Sequence, residues 1–276
     1  MDQQMGGMSS DLSPKGIGDI LGAVFDTYKK HWQTLMTIVA IFAIPVQIIQ
    51  FYVVDQLILK PLNTAALSDV QSLSDLNEAV GGTFYRSLWA FGVGNLIITV
   101  LSFVLMAAIT KAAADDIVGA TPSVGDSYSF GFSKFLSVIW VSILAGLIVV
   151  GGLFLFVIPG LIFAVKLAVS IPALVVEDKR GSQAIGRSWK LTSGVFWHVL
   201  GAILVAAILT SFVSGIISGP FTNWFMKGVF SGIAMTITMP FSTLVSVILY
   251  VDLRVRKENL STDRLRQELA RAGGSA

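Results

Sequence analysis

Hydrophobic residues in this chain come in long blocks instead of alternating with polar ones. Six runs, at 34–54, 88–110, 135–157, 159–176, 197–219 and 229–253, each approach the ~20 residues a helix needs to cross a bilayer core. Transmembrane barrels instead alternate apolar and polar residues over short segments, and "LSVIWVSILAGLIVVGGLFLFVIPG" does not alternate. The predicted fold is an all-α integral membrane protein with six transmembrane helices.

The polar stretches between the runs have a pattern of their own. Before the first run, "IGDILGAVFDTYKKHW" places Ile17, Leu21, Val24, Phe25 and Tyr28 at helical spacing. Before the third, "PSVGDSYSFGFSKF" has Pro122 at a helix start. Before the fifth, "GSQAIGRSWKLTSG" has Ser182 as the expected N-cap and Gly194 at the C′ position. In that last segment Ile185, Trp189 and Thr192 share one face, and Gln183, Arg187 and Lys190 the other. Amphipathic segments of this kind lie in the membrane interface. The expected organisation is three hairpins, each preceded by a cytoplasmic interfacial helix. Residues 1–14 read as a disordered tail, 15–253 as the membrane domain and 254–276 as a basic cytoplasmic tail.

Two features bear on packing. Ser211, Gly215 and Gly219 recur every four residues, as do Gly228, Gly232 and Thr236. Small faces let backbones approach closely in lipid, so these two are expected to close the last hairpin; a homodimer face is the rival reading. Pro45, Pro159, Pro172 and Pro240 fall in or at the ends of four runs. Each removes a backbone donor and leaves carbonyls for Ser, Thr or water to satisfy.

Charge sets the orientation. Only 13% of residues are charged, against roughly 25% in soluble domains, so their placement matters more than the net +2. Lys15, Lys29, Lys30, Lys111, Lys134, Lys179, Arg180, Arg187, Lys190 and the six cations of 254–276 fall on one side. Lys60, Arg86 and Lys227 fall on the other, and Lys166 lies within a run. The positive-inside rule puts both termini in the cytoplasm. The N-terminus lacks the order of a signal peptide, so the first run is expected to serve as an uncleaved anchor. With no cysteine, disulfides, thiol catalysis and Cys-based metal sites are excluded.

Candidate chemistry centres on "VVEDKRGSQAIGRSWKLTSGVFWHV". Lys179, Arg180, Arg187 and Lys190 read either as an anion or lipid-headgroup site or as the basic flank of an interfacial helix. In the second reading, which is preferred, Glu177 pairs with Arg187 or a neighbouring cation, and Trp189 and Trp197 sit in the aromatic belt. Lys166, inside a run, is read first as a structural lysine reaching the outer interface. It is read second as part of an intramembrane path with Ser170, Gln47, Gln50 and Asn95, and last as a Ser–Lys pair with Ser170. His31 and His198 each adjoin a tryptophan and lack ligand-spaced partners, so no metal site is expected. "GIGDILG" has the wrong spacing for a dinucleotide loop. No catalytic residue, cofactor or nucleic-acid partner is expected. The expected partners are membrane lipids, with a partner membrane protein or a second copy of this chain.

The block "PGLIFAVKLAVSIPALVVEDKRGSQAIGRSWKLTSGVFWHVL" resembles the membrane domain found beside some bacterial glycerophosphoryl diester phosphodiesterases, and related stand-alone membrane proteins. Pro159–Gly160, Pro172, Glu177, Ala184, Arg187–Ser188–Trp189, Leu191–Thr192 and Gly194 carry the resemblance. It implies a plasma-membrane protein of bacterial type. The phosphodiesterase barrel has no counterpart in this sequence, so the resemblance implies no hydrolase activity. The leading expectation is a non-enzymatic membrane scaffold or accessory that binds lipid or a partner protein. The alternative is a transporter or lipid-translocating permease with Lys166 lining the path.

Overall fold

Helices follow one another along the computed structural model, which describes residues 12–56, 72–179 and 181–274. Side chains of 73–80, 83, 86–91, 93–98 and 273–274 lie outside that description. The order is α1 (Ile17–Val54), α2 (Leu73–Ile117), α3 (Val124–Ser133), α4 (Phe135–Leu155) and α5 (Val157–Leu167). Then come α6 (Ser170–Glu177), α7 (Ser182–Thr192), α8 (Phe196–Ser218), α9 (Trp224–Glu258) and α10 (Thr262–Gly274), with no strand among the described residues.

Five helices, counting α5 and α6 together, are long and apolar enough to cross a membrane: Ile17–Val54, Phe135–Leu155, Val157–Glu177, Phe196–Ser218 and Trp224–Glu258. The predicted run 88–110 falls on α2, where most side chains before Thr99 lie outside the described residues. Outward faces of the apolar helices stay bare, with Leu147, Val150 and Phe154 on α4 and Leu204, Ile208 and Phe212 on α8 exposed. An apolar helix exposed on its outer face belongs in lipid. The chain is a membrane-embedded helical protein.

The main core forms where α1 packs along α9, with α2 against both. Gly228 and Gly232 make that contact possible. A Cβ on either would lie 2.7 Å from a main-chain Cα of α1, that of Ile48 or Ile44 respectively. The small face of α9 therefore meets α1, not the Ser211–Gly215–Gly219 face of α8, and nothing lies within 4 Å of the Cβ position of Gly215. A second close approach joins α4 to α5, where a Cβ on Gly152 would sit 3.0 Å from the Cα of Gly160. Pro159 occupies the first turn of α5, where its missing N–H costs nothing.

The fourth predicted run, 159–176, is not one helix. It breaks between α5 and α6, with Val169 at φ −110°, ψ 19°. Pro172 explains the break, because its ring clashes with the carbonyl four residues back and it has no N–H to donate. Hydroxyls satisfy the freed groups. Ser188 Oγ donates to Lys166 O (2.8 Å) and accepts from Val169 N (3.3 Å). Thr192 Oγ1 donates to Lys166 O (3.2 Å), Ser170 Oγ to Leu167 O (2.8 Å) and Ser246 Oγ to Ala168 O (2.8 Å).

The three amphipathic stretches are all helical, with differences in detail. The first runs into the following span through a kink at His31 (φ −122°, ψ 24°), making one helix, α1. Ser123 caps α3, accepting from Asp126 N at 3.5 Å. At α7 the N-cap is Gly181 at φ 56°; Ser182 is already helical and caps nothing. Gly194 does take a positive φ, 82°, just past the C-cap. Residues 254–276 are not a free tail over their described part. The last span continues to Glu258, and α10 then folds back with Leu265, Leu269 and Ala272 buried. Of the predicted N-terminal tail, residues 1–11 lie outside the description, while Leu12 packs on the core and Lys15 N donates to Asp252 Oδ1 at 2.6 Å.

Candidate functional site at the basic end of the bundle

The start of α1, the end of α9, α7 and α10 meet at one end of the molecule, where most described cations gather. Its centre is an ion-pair network. Arg187 on α7 donates through Nε to both oxygens of Glu177 (2.7 and 2.9 Å) and through its terminal nitrogens to Glu258 (2.5 and 2.7 Å). Arg254 on α9, 1% exposed, reaches Glu268 of α10 (2.5 and 3.1 Å), Glu258 (3.1 Å) and the Tyr250 hydroxyl (3.1 Å). Tyr250 in turn donates to Glu177 Oε1 at 2.7 Å. Two guanidiniums and three carboxylates thus tie α6, α7, α9 and α10 together. Planar guanidinium forks suit such bidentate pairing, which ammonium groups could not reproduce.

Electrostatics follow from this geometry. The Glu258 hydrogen bonds, with those of Glu177, hold the Arg187 guanidinium above its usual range despite burial. Burial pushes the Glu268 carboxyl up, but Arg254 outweighs it and leaves Glu268 below its usual 4.5. Two smaller clusters flank the network. Asp252 accepts from His198 (3.1 Å) and Arg256 (2.7 Å) beside Lys15. Asp116, at the end of α2, takes Thr27 (3.1 Å), Lys30 (2.5 Å) and His31 (2.8 Å) at the α1 kink. Burial raises the Asp116 carboxyl, and the cations opposite more than reverse that.

Of the predicted anion quartet, Arg187 and Lys179 both stand beside Glu177. Arg187 faces inward onto carboxylates, and Lys179 stands 3.8 Å from Glu177. Lys190 is exposed, and Arg180 lies outside the described residues. The expected α7 faces are also redrawn: Ala184, Ser188, Leu191 and Thr192 are buried, while Trp189 is exposed. The Glu177–Arg187 pair stands as expected.

Of the predicted intramembrane set, the described members Lys166, Ser170 and Gln47 take separate partners. Lys166 reaches toward α7, the basic end and not the outer one, donating to Ser193 Oγ at 3.1 Å with its ammonium over the Trp189 ring at 5.5 Å. Ser170 Oγ donates to Leu167 O, and Lys166 Nζ to Ser193 Oγ rather than to Ser170. Gln47 on α1 donates to Met235 Sδ at 3.6 Å. The side chain of Asn95 lies outside the described residues.

Sequence reasoning missed Lys257, Tyr250, Arg254, Glu258 and Glu268. Lys257 Nζ donates to Lys190 O (2.8 Å) and Ser193 O (2.5 Å), which gathers Lys166, Lys190 and Lys257 around the α7–α8 corner. Neither Lys166 nor Lys190 nor Lys257 has a carboxylate in ion-pair reach among the described residues. The missed signal was the four-residue spacing of Tyr250, Arg254 and Glu258, which aligns them on one helix face once the last span is read past residue 253.

A cavity of about 390 Å³ opens beside the break in the fourth run, between α2, α5, α8 and α9. Ala164, Ala168, Ala206, Thr210, Ser242 and Ser246 are among the residues lining it. Its walls are largely apolar, with a few hydroxyls.

Together these features define a helical membrane protein whose largest described ion-pair network lies at one end. Comparison with protein-family models, with curated proteins and with solved structures finds no match to this chain.

Proposed function

We propose that the chain is a non-enzymatic polytopic membrane scaffold or accessory. In this reading six spans form three hairpins in the plasma membrane, both termini are cytoplasmic, and the basic end binds lipid or a partner protein. One observation carries it: the motif-bearing residues of α5–α7 are engaged in joining helices. Glu177 and Arg187 hold α6 to α7 and α9, Ser188 and Thr192 satisfy the break at Val169, and Trp189 covers Lys166. Side chains used this way build a fixed surface. The resemblance to the membrane domain beside glycerophosphoryl diester phosphodiesterases is consistent with an accessory role, and remains part of the proposal.

The second reading, a lipid-translocating permease, is favoured by the cavity beside the broken span. Flux of labelled phospholipid across proteoliposomes separates the two. The scaffold reading predicts no flux above protein-free vesicles, and a Lys166→Leu protein whose expression is intact. Flux that is lost on Lys166→Leu would overturn it.

A further inference from the structure

The three lysines and the cavity belong to the same helices. Ala164 on α5 and Ala168 just past its end line the cavity and flank Lys166 in sequence. On α9 the cavity ends at Leu249, eight residues before Lys257, or roughly 12 Å at helical rise. On α8 it begins at Ile203, within two turns of the Val195–Phe196 corner where the lysines gather. Apolar walls therefore run toward a cationic end. Trp189 and Trp197 stand exposed at that end, Trp197 at 78%, and tryptophans of this kind favour the headgroup level of a bilayer.

Among the described residues these lysines have no carboxylate within ion-pair distance. Within that set Lys166 donates to a hydroxyl and Lys257 to main-chain carbonyls; burial, Lys166 and Lys190 bring the Lys257 ammonium below its usual range, and Glu258 only partly opposes them. The neighbouring carboxylates are engaged: Glu177 and Glu258 by arginines, Asp252 by His198 and Arg256. Two ammonium groups meeting at Ser193, with Lys190 exposed on the adjoining turn of α7 and no carboxylate in ion-pair reach among the described residues, are complementary to a phosphate, and an adjoining apolar cavity is complementary to an acyl chain. A soluble anion would use the lysines alone; only a lipid uses both.

We propose that the α5–α7–α8–α9 corner binds an anionic glycerophospholipid, its phosphate on Lys166, Lys190 and Lys257 and one acyl chain in the cavity beside Ala168 and Ser246. The proposal rests on the scaffold reading, of which it names the ligand.

The test is native mass spectrometry of the full chain released from nanodiscs containing phosphatidylglycerol and phosphatidylcholine with identical chains. Wild type retains phosphatidylglycerol preferentially. The Lys166→Gln, Lys190→Gln, Lys257→Gln triple variant loses that preference, with retention down roughly 100-fold for three surface cations. The corresponding triple arginine variant keeps the charge and restores most of it, which separates lost binding from lost folding. Ala207→Phe, filling the cavity from α8, lowers retention with the lysines intact. Equal retention of the two lipids by wild type overturns the proposal, as does a triple glutamine variant that still prefers phosphatidylglycerol. Saturation by inorganic phosphate with no lipid retained also overturns it, making the site one for a free anion. A failure of any of these kinds leaves the flux result untouched, so the scaffold reading stands or falls separately.

Discussion

Arg254 shows how much one side chain can hold. It is almost wholly buried yet carries a full charge, and it is tolerable only because Glu268, Glu258 and Tyr250 surround it. Removing one partner of a buried pair leaves the other uncompensated, at a cost of about 3–5 kcal/mol. Arg254→Met is therefore expected to destabilise the detergent-solubilised protein by about that much in a thermal melt, whereas Arg266→Met, on the exposed side of α10, shifts it little. Ser188 is a second such residue. Its hydroxyl serves both Lys166 O and Val169 N, and Thr192 covers only the first. Ser188→Ala should cost about 1–3 kcal/mol, the range for leaving a buried polar group unsatisfied. A loss below a few tenths would mean that water replaces the hydroxyl. The sequence made Glu177–Arg187 legible because a carboxylate ends one apolar run and a guanidinium ten residues on sits within the next short helix. It did not make Arg254 legible, because a cation just past an apolar run reads as a membrane-flanking charge whatever its burial.

At the scale of elements, α10 and the α1–α9 contact carry the most testable content. Leu265, Leu269 and Ala272 seat α10, and the Arg254–Glu268 pair anchors it. Glu268 sits below its usual 4.5 in the folded chain. A depressed carboxyl adds stability that is complete above the usual value and is lost as pH falls through the lower folded value. Amide protection in 262–274, taken relative to the intrinsic exchange rate at each pH, should thus be high and steady from neutral pH down to about 5 and fall below about 4.5, while Glu268→Gln removes that dependence. Protection that falls already near pH 6 would point to a histidine instead. On the other side, Gly232→Leu would drive a side chain into the main chain of α1 at Ile44. Overpacking costs about 1–3 kcal/mol, and here a main chain must move, so the upper end is expected in the same melt. The same change at Gly215 meets open space and should be nearly neutral. Periodicity found both small faces, yet it could not say which helix each would meet, because partner choice is a property of the assembled bundle. The α10 helix was passed over for a related reason: high charge hid the apolar i, i+4 pair Leu265 and Leu269.

For the whole molecule, the apolar runs determine that the chain is helical and membrane-embedded, since in lipid every backbone group must be paired within the protein. Five helices meet that description. The break between α5 and α6 was invisible to hydropathy, because apolarity is the same on both sides of Pro172; only the proline and the nearby hydroxyls Ser188, Thr192 and Ser246 foretell it. The central claim is that the network, α7 and α10 form a single cytoplasmic face, with the α8–α9 turn on the opposite side. Because the chain has no cysteine, single-cysteine labelling with a membrane-impermeant maleimide reads this directly. Ser182→Cys in α7 and Ser261→Cys before α10 are predicted to react only from the cytoplasmic side, and Thr222→Cys in the α8–α9 turn only from outside. Labelling of Ser182→Cys and Ser261→Cys from opposite sides, or of all three from the same side, would contradict it.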